Sequence, residues 1–226
     1  MFHELFNLFY PKTCQICDEI LLKNERIVCL KCLHELPVTN YHLYYENPVK
    51  KVFYGRVPVE NATSLMIFKK KGSVQKLIHQ LKYKGQQEIG PFLGTWLGAE
   101  LEKMPAFREI DAVIPVPLHK LKLRSRGFNQ VEGFGKEIAG TLKIPYLDQV
   151  LLKKSFTTTQ TIKERLARWG NIEETFILAR PQDIKNKHVL LVDDLITTGA
   201  TLEACANTLK QAGGVKISIA TMAVAG

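Results

Sequence analysis

Apolar residues occur along this chain in two spacings: short continuous runs and stripes at helical intervals. Val189–Val192 is a continuous run that follows polar sequence, and Ala112–Val116 is another. Runs of this length, bounded by turn residues, are typical of strands buried on both faces of a parallel sheet. Val150–Leu152, Phe176–Leu178 and the C-terminal VKISIATMAV are predicted as further strands.

Stripes with intervals of three or four residues predict the helices. One helix is expected after Val189–Val192, and it should end before Gly213 and Gly214. Another is expected after Gly127, and a third in SVQKLIHQLKYKG. The alternation of buried strands with helices predicts an α/β fold with a parallel sheet. The supporting stripes are Leu202, Cys205, Ala206 and Leu209; Phe128, Val131, Phe134, Ile138 and Leu142; and Val74, Leu77, Ile78 and Leu81.

Two acids and a threonine-rich turn separate the strand Val189–Val192 from its helix. Ligands of open α/β sheets bind at such strand-to-helix loops, where unpaired N–H groups of the helix favour a phosphate. Paired carboxylates suit two hydroxyls or Mg²⁺. The pattern predicts a ribose 5-phosphate site; the alternative is that Asp193 caps the helix and Asp194 is merely solvated. The loop residues are Asp193, Asp194, Thr197, Thr198, Gly199, Ala200 and Thr201.

The stretch VLLVDDLITTGAT, thirteen consecutive residues, resembles the 5-phosphoribosyl-1-pyrophosphate (PRPP) loop of type I phosphoribosyltransferases. The resemblance implies that Asp193 and Asp194 hold the ribose 2- and 3-hydroxyls together with Mg²⁺. It also implies that Thr197–Thr201 cradles the 5-phosphate. The 6-oxopurine salvage enzymes carry an Asp three residues after the second loop acid, where this chain has Thr197, so purine salvage is disfavoured.

The strand Ala112–Val116 ends in a proline-stiffened loop that is followed by four cations and no acid. Cations at a second strand end could neutralise a pyrophosphate opposite the phosphate loop. The candidate pyrophosphate residues are Pro117, Leu118, His119, Arg124 and Arg126. Farther along, KKSFTTTQTIKERLARWGNI is polar and cationic, and it predicts a flap over a charged substrate or, alternatively, a long surface loop.

Four of the five cysteines form two C-x-x-C pairs, Cys14 with Cys17 and Cys29 with Cys32. In a reducing compartment such pairs hold metal ions far more often than they form disulfides, and a closed four-thiolate shell is structural. Zinc is the expected ion, with iron or four incidental thiols as alternatives. Cys205 lies on a helical apolar stripe and is expected in the core.

The formal net charge of +9 is concentrated in residues 50–84, here called the basic tract. The tract holds nine lysine or arginine residues and one acid, with aromatic residues between them. Cations with nearby aromatic rings are the ingredients of single-stranded nucleic-acid binding, whereas the alternative is a solvated basic face. The candidate nucleic-acid residues are Lys69, Lys70, Lys71, Lys82, Tyr83 and Lys84.

Taken together, these stretches resemble the ComF family of competence-associated, phosphoribosyltransferase-like proteins. The resemblance rests on the cysteine pairs, on IHQLKYKG (78–85), on VPLHKLKLRSRGFNQ (116–130) and on the PRPP loop. A weaker match in the flap involves Gln160, Thr161 and Arg165. The family resemblance as a whole implies a cytoplasmic protein that handles single-stranded DNA together with DNA uptake and recombination proteins.

The expected organisation is a zinc-finger module at residues 1–40, a basic helical linker or hood at 41–108 and a phosphoribosyltransferase-like core at 109–226. No apolar stretch is long enough for a membrane span, and the first residues lack the features of a signal peptide. Three hypotheses remain from sequence: a phosphoribosyltransferase with a small-molecule or nucleobase acceptor, a PRPP-binding module that also binds DNA, and a zinc-stapled scaffold. No catalytic residue is assigned.

Overall fold

Four parallel strands form the central sheet in the computed structural model, which describes residues 11–154 and 176–226. The strands lie in the order β1-β6-β5-β2, and each neighbouring pair is parallel. Their carboxyl ends therefore meet at one edge of the sheet, here called the carboxyl edge. The bounds are β1 Ala62–Phe68, β2 Ala112–Pro115, β5 His188–Ile196 and β6 Lys216–Ala225. A separate antiparallel ribbon pairs β3 Leu151–Lys153 with β4 Phe176–Leu178.

Helices connect the strands and cover both faces of the sheet. The helices predicted after β5, after Gly127 and in SVQKLIHQLKYKG are all present. The α-helices of the described residues are α1 Leu30–His34, α2 Pro48–Lys51, α3 Ser73–Tyr83, α4 Ile89–Glu102, α5 Pro105–Arg108, α6 Lys120–Arg126, α7 Glu132–Leu142 and α8 Ala200–Lys210.

Strand β5 is buried on both faces, as its apolar run predicts. Leu190 and Val192 join one hydrophobic cluster, and Val189 and Leu191 join the other. This alternation follows from the two-residue period of a strand, which turns successive side chains to opposite faces. The two clusters are the two halves of the core, and β5 contributes side chains to both.

The prediction that Asp193 and Asp194 lie on a loop is wrong, because β5 continues beyond both residues to Ile196. The neighbouring strand β6 is long enough to pair with this extension, and Asp193 lies opposite Thr221. The ladder of backbone hydrogen bonds thus carries the acids into the strand. Their position is fixed by the sheet and not by a turn.

Residues 41–108, expected to be a basic helical region, also contribute β1, which is an outermost strand of the sheet. The cysteine-rich segment is attached through this strand, since Val38 forms an antiparallel bridge with Met66. The Thr39 N–H donates to the Leu65 carbonyl oxygen at 3.0 Å. Lys76 Nζ also donates to the Ile16 carbonyl oxygen at 2.9 Å.

Helices α4 and α7 approach each other closely at Gly94. A Cβ atom at this position would lie 2.5 Å from the Phe134 carbonyl oxygen and 2.9 Å from Phe134 Cα. Both atoms belong to the backbone of α7 and cannot rotate away. The glycine is therefore required by the distance between the helices.

We expect Gly94→Ala to destabilise the protein by about 1–3 kcal/mol, because the added methyl group overpacks this contact. The matched control is Gly140→Ala on α7, where an added Cβ meets nothing within 4 Å. That change should stabilise the protein by roughly 0.5–1 kcal/mol, since alanine favours a helix over glycine. Urea unfolding of both variants measures the difference, and a neutral Gly94→Ala would contradict the packing described.

Candidate functional site at the carboxyl edge

The two adjacent acids of β5, here called the carboxylate pair, form the centre of the site. Asp193 and Asp194 are 9% and 5% exposed, respectively. The Asp194 N–H donates to Asp193 Oδ1 at 2.8 Å. Burial, reinforced by the negative charge of Asp194, raises the pKa of the Asp193 carboxyl.

Asp194 is held by one side chain from each of two other elements. Lys82 Nζ, from the last turn of α3, donates to Oδ1 at 2.7 Å, and Gln130 Nε2 donates to Oδ2 at 2.6 Å. Gln130 in turn accepts a hydrogen bond from Arg126 through its Oε1. A continuous chain of polar contacts therefore runs from Arg126 through Gln130 and Asp194 to Lys82.

The candidate phosphate loop, Thr197–Thr201, follows directly at the end of β5. Thr197, Thr198 and Thr201 are exposed, and Ala200 and Thr201 form the first positions of α8. Gly199 precedes them with φ of +75° and provides no side-chain cap, so the first N–H groups of α8 are not capped by it. These groups and the threonine hydroxyls form a cluster of donors suited to an anion.

Arg56 supports this loop from the basic tract. Its guanidinium donates to the Thr198 carbonyl oxygen at 2.7 Å and pairs with Glu203 of α8. Val52 lies close to the same turn, because a Cβ at Gly199 would come within 2.6 Å of Val52 Cγ1. Arg56 is therefore a supporting residue of the site, which the sequence did not indicate.

The candidate pyrophosphate residues follow β2 at the same edge, but they take a different local form from the one expected. The four cations lie on a short helix, α6, and His119 is its N-cap, with Nδ1 accepting from the Leu121 N–H at 3.2 Å. Pro117 and Leu118 form the turn before it and are half-buried, whereas Arg124 is exposed. Arg126 reaches the carboxylate pair through Gln130.

The basic tract divides into cations that have partners within the protein and cations that face outward. Lys82 was expected on a nucleic-acid surface, and this is a correction: Asp194 draws it into the site, where its side chain is 20% exposed. Lys50 lies 3.3 Å from the centre of the Tyr45 ring and is buried. The remaining candidates Lys69, Lys70, Lys71, Tyr83 and Lys84 are exposed. The flap residues Gln160, Thr161 and Arg165 lie outside the described residues.

The four paired cysteines converge as their spacing predicts. One sulfur atom from each of Cys14, Cys17, Cys29 and Cys32 lies within 4.8 Å of the others, and none of these thiols is in a disulfide. The Sγ atoms of Cys17 and Cys29 are 3.7 Å apart. Zn–S bonds of about 2.3 Å in a tetrahedron place sulfurs about 3.8 Å apart, so the cluster fits a metal ion.

Gln130 is the site residue that sequence reasoning missed most clearly. Its signal was present, because it closes the stretch VPLHKLKLRSRGFNQ, and the side chain lies immediately before α7. Lys82 carried a similar signal in IHQLKYKG. Gln130 was overlooked and Lys82 was assigned to nucleic-acid binding, because an amide or a lysine near a helix end does not indicate a partner that lies over sixty residues away.

Comparison with known proteins supports this description of the fold. A phosphoribosyl transferase domain matches residues 132–225, which include β5, the phosphate loop and β6. None of the helices in residues 11–154 and 176–226 combines the length and apolar character needed to cross a bilayer. The chain has a type I phosphoribosyltransferase fold with a parallel sheet, preceded by a cysteine cluster that could hold a metal.

Curated relatives extend the similarity beyond that domain. The chain is 25% identical over 209 residues to the DNA utilization protein YhgH of Escherichia coli O157:H7, covering 91% of this chain and 87% of that protein. It is 33% identical over 147 residues to competence protein ComFC of Streptococcus pneumoniae, covering 65% and 61% of the two chains. Competence protein F of Haemophilus influenzae is 29% identical over 147 residues, covering 63% and 64%. The matched domain, the cysteine cluster and these relatives show that the chain is similar to YhgH and to competence proteins F and ComFC, in line with the resemblance of its sequence motifs to the ComF family.

Proposed function

We propose that the carboxyl edge binds PRPP, with the carboxylate pair on the ribose hydroxyls and Thr197–Thr201 on the 5-phosphate. The observation that carries this proposal is that hydroxyl acceptors and phosphate donors occur one after the other on a single strand end. Two carboxyl groups side by side can accept from a diol, and the donors of the loop lie a few residues away. Arg126 provides a cation on the side where β2 ends.

Magnesium fits the same residues. The oxygen atoms of Asp193 and Asp194 are the hard ligands that Mg²⁺ prefers, and the ion usually joins one or two carboxylates to phosphate groups of the substrate. When bound, Mg²⁺ supplies charge neutralisation for the pyrophosphate. The carboxylates of this chain would hold it at the end of β5, next to the phosphate loop.

For the cysteine cluster we propose a structural zinc ion. Four thiolates close the coordination shell and leave no position for a substrate. The backbone around the cluster is arranged for thiolates: the Cys29 N–H donates to Cys14 Sγ at 3.3 Å and the Cys32 N–H donates to Cys29 Sγ at 3.5 Å. Burial opposes ionisation of the Cys14 thiol, but backbone N–H groups, including those of Cys17 and Cys29, outweigh it and lower its pKa to about 7, whereas burial and the neighbouring thiols raise the pKa of Cys32.

We further propose that the exposed part of the basic tract binds single-stranded DNA in the cytoplasm. Lys69, Lys70 and Lys71 follow β1 at the carboxyl edge, and Tyr83 is 67% exposed, with its ring beside Arg126 and His79. Cations with an accessible ring suit the phosphates and bases of an unpaired strand. The names of the YhgH and ComFC relatives, which refer to DNA use and competence, support this role and partnership with DNA-handling proteins.

Asp193→Asn should weaken the binding of PRPP in the presence of Mg²⁺ by about 10- to 100-fold, because hydrogen bonds to a charged group contribute about 1.5–3 kcal/mol. Calorimetric titration measures this change. The matched control is Glu109→Gln, which removes an exposed acid just before β2, at the opposite edge of the sheet. Equal affinities for the wild type and the Asp193 variant would contradict the proposed pocket.

The same Asp193→Asn change should stabilise the ligand-free protein, increasingly so as the pH rises. Because the pKa of Asp193 is raised in the folded state, the folded protein holds a proton that the unfolded chain has released, and stability falls as pH rises through the raised pKa. Asparagine removes this penalty. We expect a gain on the order of 2 kcal/mol at pH 8 and little gain at pH 4. Thermal unfolding at the two pH values tests it, and a pH-independent effect would argue against a buried, repelled carboxylate.

Purified protein should contain one zinc ion per chain, and Cys14→Ser should lose it and unfold at a lower temperature. The measurement is elemental analysis combined with native mass spectrometry. Cys205→Ser is the control, because Cys205 is buried in α8 and lies apart from the cluster. Retention of zinc in the Cys14 variant, or iron in place of zinc, would refute this assignment.

Replacing Lys69, Lys70 and Lys71 by glutamine should weaken binding of a short single-stranded oligonucleotide. The slope of log affinity against log salt should fall by roughly 2, since each contact with a single strand contributes about 0.7. A triple glutamine variant of Lys185, Lys210 and Lys216, exposed residues located elsewhere, removes the same charge. Fluorescence anisotropy over a salt series compares the two triple variants, and identical slopes would locate the DNA contacts outside Lys69, Lys70 and Lys71.

A further inference from the structure

The contact between Lys82 and Asp194 has a consequence for which ligand the pocket accepts. Among the described residues it is the most buried ion pair between a lysine or arginine and a carboxylate, with side-chain exposures of 20% and 7%. This pair differs from a solvent-exposed salt bridge, because both charged groups are largely desolvated. A ligand that binds Asp194 must therefore either displace the Lys82 ammonium or share the carboxylate with it.

Both oxygens of Asp194 already accept hydrogen bonds, Oδ1 from Lys82 and Oδ2 from Gln130. The two donors differ in how firmly they are held. Gln130 is fixed at both ends of its amide, since its Oε1 accepts from Arg126. Lys82 Nζ has Asp194 as its hydrogen-bond partner and ends a flexible four-carbon stem. A ribose hydroxyl that approaches Asp194 therefore displaces Lys82 more readily than Gln130.

A displaced ammonium needs a new anion. Leaving it in a partly buried site without a partner carries the desolvation cost of an unpaired charge. Arg126 stands at the other end of the same polar chain, so displacement leaves two cations close to the carboxylate pair. The pyrophosphate of PRPP supplies negative charge in this region, whereas ribose 5-phosphate has the same diol and 5-phosphate without it.

We propose that Lys82 is a specificity-determining residue of the pocket, which yields Asp194 to the ribose hydroxyls and pairs with the pyrophosphate of the bound ligand. The pocket then prefers PRPP to ribose 5-phosphate, because only PRPP provides the lysine with a second partner. This inference rests on the proposed PRPP site. It also gives IHQLKYKG a function in the pocket through Lys82, while the neighbouring Tyr83 remains exposed.

The test is calorimetric titration of PRPP and of ribose 5-phosphate, each with Mg²⁺, into the wild type, Lys82→Met and Lys210→Met. Lys210 is the matched control, because it is an exposed lysine at the last position of α8, the opposite end of that helix from the phosphate loop. The ratio of the two affinities isolates the contribution of the pyrophosphate, since the diol and the 5-phosphate are common to both ligands.

We expect the wild type to prefer PRPP, and Lys82→Met to lower that preference at least tenfold by weakening PRPP alone. Ribose 5-phosphate should bind the Lys82 variant as well as or better than the wild type, and Lys210→Met should behave as the wild type. An unchanged ratio, or equal weakening of both ligands, would overturn the inference and leave Lys82 as a counter-ion of Asp194.

Two further results are distinguishable from these. If the wild type binds neither ligand, the PRPP site itself is refuted, and the inference falls with it. If Lys82→Met does not fold, as shown by thermal unfolding, Lys82→Gln carries the test. Glutamine keeps a donor for Asp194 and loses the positive charge, so the same tenfold loss of preference is expected.

Discussion

Burying two adjacent carboxylates at the end of a central strand is costly, and the arrangement of the carboxyl edge follows from that cost. Strand β5 is covered on both faces, and its extension alongside β6 takes Asp193 and Asp194 out of water. Unpaired buried charges are strongly destabilising. Lys82 and Gln130 offset this cost at Asp194, whereas the pKa of Asp193 rises instead.

Three of the four sequence stretches on which the family resemblance rested meet at this point. Residues 78–85 provide Lys82, residues 116–130 provide Arg126 and Gln130, and β5 provides Asp194. These stretches are far apart in the sequence, and their side chains are connected in the fold by hydrogen bonds around Asp194. In the described part of the chain, the cysteine cluster does not contact this site. The chain that follows the cluster is joined to β1 by the bridge between Val38 and Met66.

Sequence reasoning recovered the parts of the fold that depend on local patterns. The strands β2, β5 and β6, the helices α3, α7 and α8, and the convergence of the cysteines all followed from spacing and apolar runs. The extension of β5 beyond Val192 could not be predicted, because it depends on the length of β6. The partners of Lys82 and Arg56 were also missed, since a lysine or arginine in a basic tract gives no indication of a carboxylate distant in sequence.

The central claim is that the end of β5 and the start of α8 together bind the ribose 5-phosphate portion of PRPP. A crystal structure of the protein grown with Mg²⁺ and PRPP tests it most directly. The account predicts ribose hydroxyls on Asp193 and Asp194 and the 5-phosphate within Thr197–Thr201. Ligand bound instead in the 500 Å³ cleft that includes Lys120, Lys153 and Tyr146, with the carboxylate pair untouched, would contradict it.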